Sequence, residues 1–487
     1  MQWRPLILLV RDGLERSWSA PLAAFGDSRA KLDTLEGEVV IRAPSHAATD
    51  IRGGAASCGM SGNDKPARKH PAELEAQLQA TGVFALETPP LPVSIRHRLA
   101  SAFGGLLTTV FLFAYLGLIP LAAWGVYRLN AKITLASAVR PICLSLVGCL
   151  LILSLVKPLV ARPGRVAEPH RLDPEKQPLL FKFVKELASR GQMPEPSHLA
   201  VDWSVNCYCV FAGGITGIFR RDFDLVIGLS LVSGLSLDQL AGVLAHELGH
   251  VAHRSAMWSS RLMWNVEAWF SRVTGERDRF DLAVLDSLKA AGPASKLLLE
   301  CAQWLVVPGR AVLRLMRLVE GAVSAGFLRR MEIEADRYQV RVAGTEAFLA
   351  TILETNLLAV ASQRAVVDLS RMWQRRRLVD DFPGLIASLR RGYSAAFVQR
   401  LRAGMEKSRN RIFSSHPSDR DRMAFARAQA TRGLLTPGLP AAALFADYQE
   451  LCRQATLDYY DRDLRLEREG CNLVPLANVL DQRKAGL

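Results

Sequence analysis

Leu235 to Arg254 reads LSLDQLAGVLAHELGHVAHR, and the spacing of two histidines inside it decides how the chain is read. Residues four apart on a helix share a face, so His246 and His250 can each turn a ring nitrogen toward one ion while Glu247 stays near enough to handle a water. The helix is locally well specified. Ser236 followed three residues later by Gln239 forms a capping box, and Leu240, Val243, Leu244, Leu248 and Val251 recur at helical spacing. The chemistry this pattern points to is that of a zinc hydrolase. His253 lies seven helical residues from His246, about 10 Å away, too far to ligate the same ion, and reads as a group at the helix end or behind the ligands.

A catalytic zinc takes three protein ligands and keeps one position open for water. The third donor is sought in FLRRMEIEADRYQVRVAG, residues 327 to 344. There Glu332 and Asp336 are four apart and share a helix face, whereas Glu334 points about 160° away from Glu332 at 100° per residue. Glu332 as ligand, with Asp336 behind it accepting the free N–H of a ligand histidine, makes one coherent site. Without the zinc helix, an acidic helix face such as this is ordinarily just solvated.

These residues also carry a resemblance. AGVLAHELGHVAHR (241 to 254), the later Glu332-Ile-Glu-Ala-Asp336, and HPSDRDR with His416-Pro417 and Arg422 are similar in order and spacing to the HtpX-like membrane zinc endopeptidases, the group that also contains the CaaX prenyl endopeptidases. The resemblance covers about Gln177 to Ala426. It implies Glu332 as third ligand, His416 as a helper in stabilising the oxyanion, and Arg422 as a residue holding the site together. Pro196 to Ile227 resembles the family's edge-strand region, which implies that Asn206 sits near the bound peptide. The triplet after it, Cys207-Tyr208-Cys209, departs from the family's small-aromatic-small pattern. By their residues alone, His416 is a loop histidine before a turn proline and Asn206 an ordinary strand-end residue.

The chain has 487 residues, 49% of them hydrophobic, enough for two or three domains with a sizeable core. The apolar excess is concentrated. Gly104 to Tyr127 carries no charge, and Ile133 to Val156 is interrupted only by Arg140; both are long enough to cross a bilayer. The short loop between them allows only a membrane hairpin, with both outer ends on one side. Arg96, Arg98, Lys157, Arg162 and Arg165 flank those ends against Arg128, Lys132 and Arg140 at the hairpin, so the positive-inside rule favours a cytoplasmic catalytic domain in a bacterial-type inner membrane. HtpX-like proteins often carry further spans between the zinc helix and the third ligand. Residues 297 to 319 are too charged, and too broken by Pro308 and Gly309, to be read as one. Arg310, Arg314 and Arg317 follow helical spacing opposite a Leu/Met/Val stripe, which suits a solvated face or docking on a membrane surface.

Eight cysteines without C-x-x-C spacing fit a reducing compartment. Cys207 and Cys209, two apart on a strand, lack a second pair to close a zinc site and are expected to pack. Pro44 to Pro71 has little apolar periodicity and is expected to be poorly ordered. Because the N-terminal segment is nearly neutral, the net charge of +14 belongs to the remainder and suits an anionic leaflet. No nucleic-acid-binding motif accompanies it.

The expectation is a mainly α protein with a small β-sheet, in which a zincin-like metalloprotease domain follows a two-helix transmembrane hairpin. The segments are 1 to 95, N-terminal; 96 to 162, hairpin; 163 to 430, peptidase domain; and 431 to 487, a helical C-terminal extension. Helix is expected at 177 to 191 and strands at 199 to 203, 207 to 212 and 224 to 229, with helices from Tyr338 to the end. The activity expected is endopeptidase cleavage of peptide or protein substrates, membrane proteins among them, with one Zn2+ per chain on His246, His250 and Glu332 and Glu247 as general base. An inactive relative keeping the fold as a membrane binding or chaperone module is the alternative. A soluble aminopeptidase would need an amine-binding acidic cluster that the sequence lacks.

Overall fold

A computed structural model of the chain describes residues 95–130, 169–211, 222–252, 293–410, 414–435, 438–466 and 468–484, with scattered positions between 145 and 159 and between 258 and 270. The N-terminal segment, most of the second apolar run and His253 lie outside the described residues.

Four short strands build the sheet: β1 (His170–Arg171), β2 (His198–Asp202), β3 (Cys207–Phe211) and β4 (Phe223–Gly228), in spatial order β1-β2-β4-β3. Between β1 and β2 lies α2 (Pro178–Arg190), the next described helix after α1 (Ile95–Asn130), and it buries Leu180, Phe183, Val184 and Leu187. β4 is the central strand and every residue of it is buried, as its apolar run FDLVIG requires. Its one charge, Asp224, accepts from Arg171 Nε at 3.0 Å and faces His198 Nδ1 at 3.1 Å, so the buried carboxylate is matched on both oxygens. β2 runs parallel to β4 and β3 antiparallel, with Cys207 opposite Ile227 and Phe211 opposite Phe223. Among the described residues, β3 has no strand on its other side.

The helix α3 (Leu237–Ala252) carries the histidine motif. Its start is fixed as the capping pattern requires, with Gln239 Oε1 accepting the Ser236 N–H at 3.0 Å. Leu240, Leu244 and Leu248 are fully buried, each contributing about 1.5–3 kcal/mol. Next comes α4 (Pro293–Ala343), then α5 (Thr345–Gln374), with Gly344 between them at φ +85°. A side chain at Gly344 would be strained by that φ and would meet the Gly433 backbone at 2.3 Å.

Beyond α5, the helices α6 (Phe382–Arg391), α7 (Ala395–Glu406), α8 (Asp419–Gln429), α9 (Tyr448–Asp458) and α10 (Leu476–Lys484) complete the chain, interrupted by two strands, β5 (Arg377–Val379) and β6 (Asn472–Val474), paired parallel. The expectation of helices alone after Tyr338 is corrected here: three residues are too few for alternation to register in the sequence. Tyr459, Tyr460 and Val474 join the same core as Leu244 and Leu248. Gln177 ties two distant parts of the chain together, its amide bonding both the carbonyl and the N–H of Ala446.

The helix α1 (Ile95–Asn130) has a different surface. Within it, Ala102–Arg128 is long and apolar enough to cross a membrane, with a mean hydropathy of 2.1 and 11% of it buried. Phe113 is 67% and Trp124 59% exposed, the reverse of a core helix in water. Tyr115 is buried with Val266, Phe270 and Leu313, and Phe103 meets Phe327, so α1 packs against the middle of α4. There Leu315 and Leu318 are exposed, on the stretch that also carries Arg314 and Arg317.

Two glycines let α3 and α4 approach. A Cβ at Gly242 would lie 2.7 Å from Ala343 Cβ, and one at Gly249 would lie 2.8 Å from Tyr338 Cδ2. Overpacking at Gly249 costs roughly 1–3 kcal/mol against a helix-propensity gain of up to about 1. Gly249→Ala is therefore expected to destabilise by on the order of 1 kcal/mol. Exposed Gly404 in α7 has nothing within 4 Å of an added Cβ, and Gly404→Ala is expected to stabilise by a few tenths to about 1 kcal/mol. Thermal unfolding of both variants in detergent checks this; a higher melting temperature for Gly249→Ala would contradict the close approach.

Candidate metal centre

The close helix pair sets two faces against each other. On α3, His246 and His250 stand one turn apart with their rings at 89° and their Nε2 atoms 3.2 Å from each other. On α4, Glu332 is buried opposite them, its Oε2 3.6 Å from His246 Nε2 and its Oε1 3.5 Å from His250 Nε2. These three residues are the group that could hold a metal ion among the described residues. A tetrahedral ion with bonds of about 2.0–2.1 Å places its donors about 3.3 Å apart, close to the separation of the two Nε2 atoms, and a Glu332 oxygen lies at a similar distance from each of them. Glu334 faces elsewhere and accepts from Arg337 Nη1 at 2.9 Å.

Behind the donors lies Asp336, fully buried. Its Oδ1 is 3.1 Å from His246 Nδ1, and Arg422 on α8 donates to it through both arms, Nε to Oδ2 at 2.9 Å and Nη2 to Oδ1 at 2.5 Å. Placing the proton on His246 Nδ1 leaves Nε2 with a lone pair directed at the metal position. His416 precedes α8, and its Nδ1 is 3.0 Å from Glu332 Oε2, which leaves Nε2 as the edge open to a ligand. Ser418 caps α8 by accepting the Asp421 N–H at 3.2 Å.

Charges in this pocket are strongly coupled. Burial alone would lower the pKa of His246, but Asp336 and Glu332 outweigh it and push it up to about 10. Burial lowers His250 to about 4, against the pull of Glu332. Burial raises Glu247 to about 7, with His246 opposing, which puts this carboxylate in the range where it can both take and give a proton near neutrality. Burial would raise Glu332, but His416 and His250 hold it well below the usual carboxylate range. Burial would raise Asp336 too, but Arg422 outweighs it and lowers it from its ordinary value, and Glu332 raises His416 against its burial.

Asn206 sits apart from this cluster. It is exposed just before β3, its carbonyl accepts the Gly228 N–H at 2.8 Å, and its side chain has no hydrogen-bond partner among the described residues. β3 itself leans on the motif helix, with the Cys209 thiol donating to the Glu247 carbonyl at 3.7 Å. Burial pushes both the Cys207 and Cys209 thiols well up, as packed cysteines require. Sequence reasoning missed Arg329, three residues before Glu332, whose Nη1 donates to the Ser414 carbonyl at 2.7 Å and so anchors the loop of His416. Its i−3 spacing from Glu332 was the available signal. Asn410, which accepts the Ser418 N–H at 2.6 Å, gave none.

A family model, Peptidase family M48, matches residues 174–430. Among curated relatives, a "Protease HtpX homolog" of Burkholderia cenocepacia (strain HI2424) is 25% identical over 196 residues, 39% of this chain and 60% of that protein. One of Burkholderia thailandensis is 24% identical over 191 residues, with the same coverage. The chain thus spans about 60% of the length of these relatives. No solved structure matches it significantly.

Removing the carboxylate between the histidines should cost the metal. Glu332→Ala is expected to lose bound metal while Glu334→Ala retains about one ion per chain, measured by elemental analysis of purified protein. Equal loss in both variants would place the third donor elsewhere.

Proposed function

The chain belongs to peptidase family M48, and from that membership we propose that it is a membrane-anchored, zinc-dependent endopeptidase acting on peptide or protein substrates in membrane-protein quality control. The observation that carries the reading is the donor triangle of His246, His250 and Glu332, with Glu247 next to His246 on the same helix. His246, His250 and Glu332 would hold a zinc ion, which when bound would supply a Lewis acid for the scissile carbonyl and acidify a water at the site.

The chain's own groups do the rest. Glu247 takes the proton of the attacking water and delivers it to the leaving amine. His416, tethered through Nδ1 to Glu332, offers Nε2 to the oxyanion. Asp336 and Arg422 fix the orientation of His246. A substrate strand pairs along the edge of β3 that no described strand occupies, with Asn206 at its end. The names of the relatives in Burkholderia, proteases, point the same way.

The anchor in this reading is the hairpin of Gly104 to Tyr127 and Ile133 to Val156. The exposed apolar surface of α1 supports its first half, while most of the second run lies outside the described residues. Charge at the hairpin ends favours a cytoplasmic peptidase domain, residues 163 to 430, extended by 431 to 487. The lipid bilayer is then a standing partner.

Glu247→Gln should keep the metal and lose most hydrolysis, because an amide cannot accept the water's proton. Cleavage of an unfolded protein by the wild type should stop with a chelator and return with zinc. A Glu247→Gln enzyme with near-normal turnover would sink the mechanism, and metal binding with no cleavage of any substrate would favour a binding module.

The anchor is tested separately. The full chain is expected to resist carbonate extraction, and a reporter at its C-terminus to be active in the cytoplasm; release by carbonate would remove the membrane from the account.

A further inference from the structure

The edge strand ends on a cation that the mechanism leaves unused. Arg261 lays its guanidinium over the ring of Phe211, the last residue of β3, with its central carbon 3.5 Å from the ring centroid. Phe211 in turn rests on Phe223 of β4, the centroids 5.6 Å apart. The Nη1 of Arg261 is buried without a hydrogen-bond partner, and among the described residues no carboxylate pairs with this arginine. Two other partly buried arginines among the described residues are matched by carboxylates: Arg422 by Asp336 and Arg390 by Glu354, each through two bonds. An aromatic face attracts a guanidinium but accepts none of its N–H groups in the strong sense that an oxygen does. Arg261 is only half-buried, so the rest of its fork remains open to an oxygen ligand.

Its position gives that ligand an identity. Alternate residues of a strand share a face, and Cys209 faces the motif helix through its bond to the Glu247 carbonyl. Phe211 is the next residue on that face, roughly 7 Å farther along. A peptide lying on the free edge of β3 with its reacting bond near Glu247 therefore passes Phe211 about two residues away, under the guanidinium.

We propose that Arg261 is a specificity-determining residue that receives a carboxylate of the peptide bound along β3, about two residues from the scissile bond. The carboxylate is either an acidic side chain or the terminal carboxylate of the peptide; guanidinium recognises both through the same paired hydrogen bonds. This inference rests on the peptidase reading above.

The test uses the full-length, zinc-loaded protein in detergent and quenched fluorescent peptides that differ only at one scanned position, Glu, Gln or Lys, with further peptides ending there in a free or an amidated terminus. One position is expected where Glu is turned over with a kcat/KM about tenfold above Gln, with Lys lowest. Arg261→Gln should bring the Glu-to-Gln ratio to about one, Arg261→Glu should reverse the preference toward Lys, and Arg261→Lys should keep part of it. A preference for the free terminus over the amide identifies the second source. Equal losses on Glu and Gln peptides in Arg261→Gln would reduce the residue to packing and overturn the proposal, as would a wild type indifferent to charge at every position.

Binding of the same peptides to Glu247→Gln protein, read by fluorescence anisotropy, separates this inference from its premise. Arg261-dependent binding of the acidic peptide without turnover by the wild type would sustain the carboxylate site and overturn the peptidase reading. Turnover that needs Glu247 but ignores charge would do the opposite.

Discussion

A buried carboxylate must be matched or neutralised, and the way Asp336 is matched organises the site. Its side chain has no exposed surface, so leaving either oxygen unpaired would cost several kcal/mol. Arg422 supplies two hydrogen bonds from α8, and His246 approaches from α3. One ion-paired group thereby brings three helices together, and Glu332, one turn earlier on α4, arrives opposite the two histidines as a consequence. The close helix contact at Gly242 and Gly249 is what allows this reach. Arg422 is itself supported, stacked 5.6 Å over the ring of Phe348.

How much of this the sequence carries depends on the range of the interaction. The motif helix was legible because its cap, its apolar stripe and its paired histidines all lie within twenty residues. The i, i+4 spacing on α4 separated Glu332 from Glu334 before any coordinates, and the two do face differently: one lies between the histidines, the other pairs with Arg337. Family resemblance, not periodicity, suggested His416 and Arg422, because a loop histidine and a helix arginine carry no local mark of what they touch across the fold. Three of the four strands of the main sheet, β2, β3 and β4, fell within a residue or so of where apolar runs put them, while the two-residue β1 was not foreseen. The β5–β6 pair escaped notice, since three-residue strands leave no period to count. Arg329 and Asn410 hold the His416 loop through backbone atoms, a role that residue type alone does not reveal.

The helix α4 links two environments. At one end it carries Glu332 and Asp336 in a polar, buried pocket; nearer its start, Leu313 packs with Tyr115 of the apolar helix α1, while Leu315 and Leu318 remain exposed. The expected further spans of HtpX-like relatives were judged missing here because charges interrupt residues 297 to 319. In the fold that stretch lies within the continuous helix α4, in keeping with the helical spacing of Arg310, Arg314 and Arg317, and Leu313 on it packs with Tyr115 of α1. The candidate metal centre and the apolar surface are therefore parts of one connected framework.

The central claim is that one metal ion sits among His246, His250 and Glu332. Anomalous diffraction at the zinc edge from crystals of the full chain tests it most directly. The account requires a single strong peak between the two Nε2 atoms and the Glu332 carboxylate, with Asp336 outside bonding distance. A peak at Cys207 and Cys209, or none near the motif helix in protein that elemental analysis finds loaded with zinc, would contradict it.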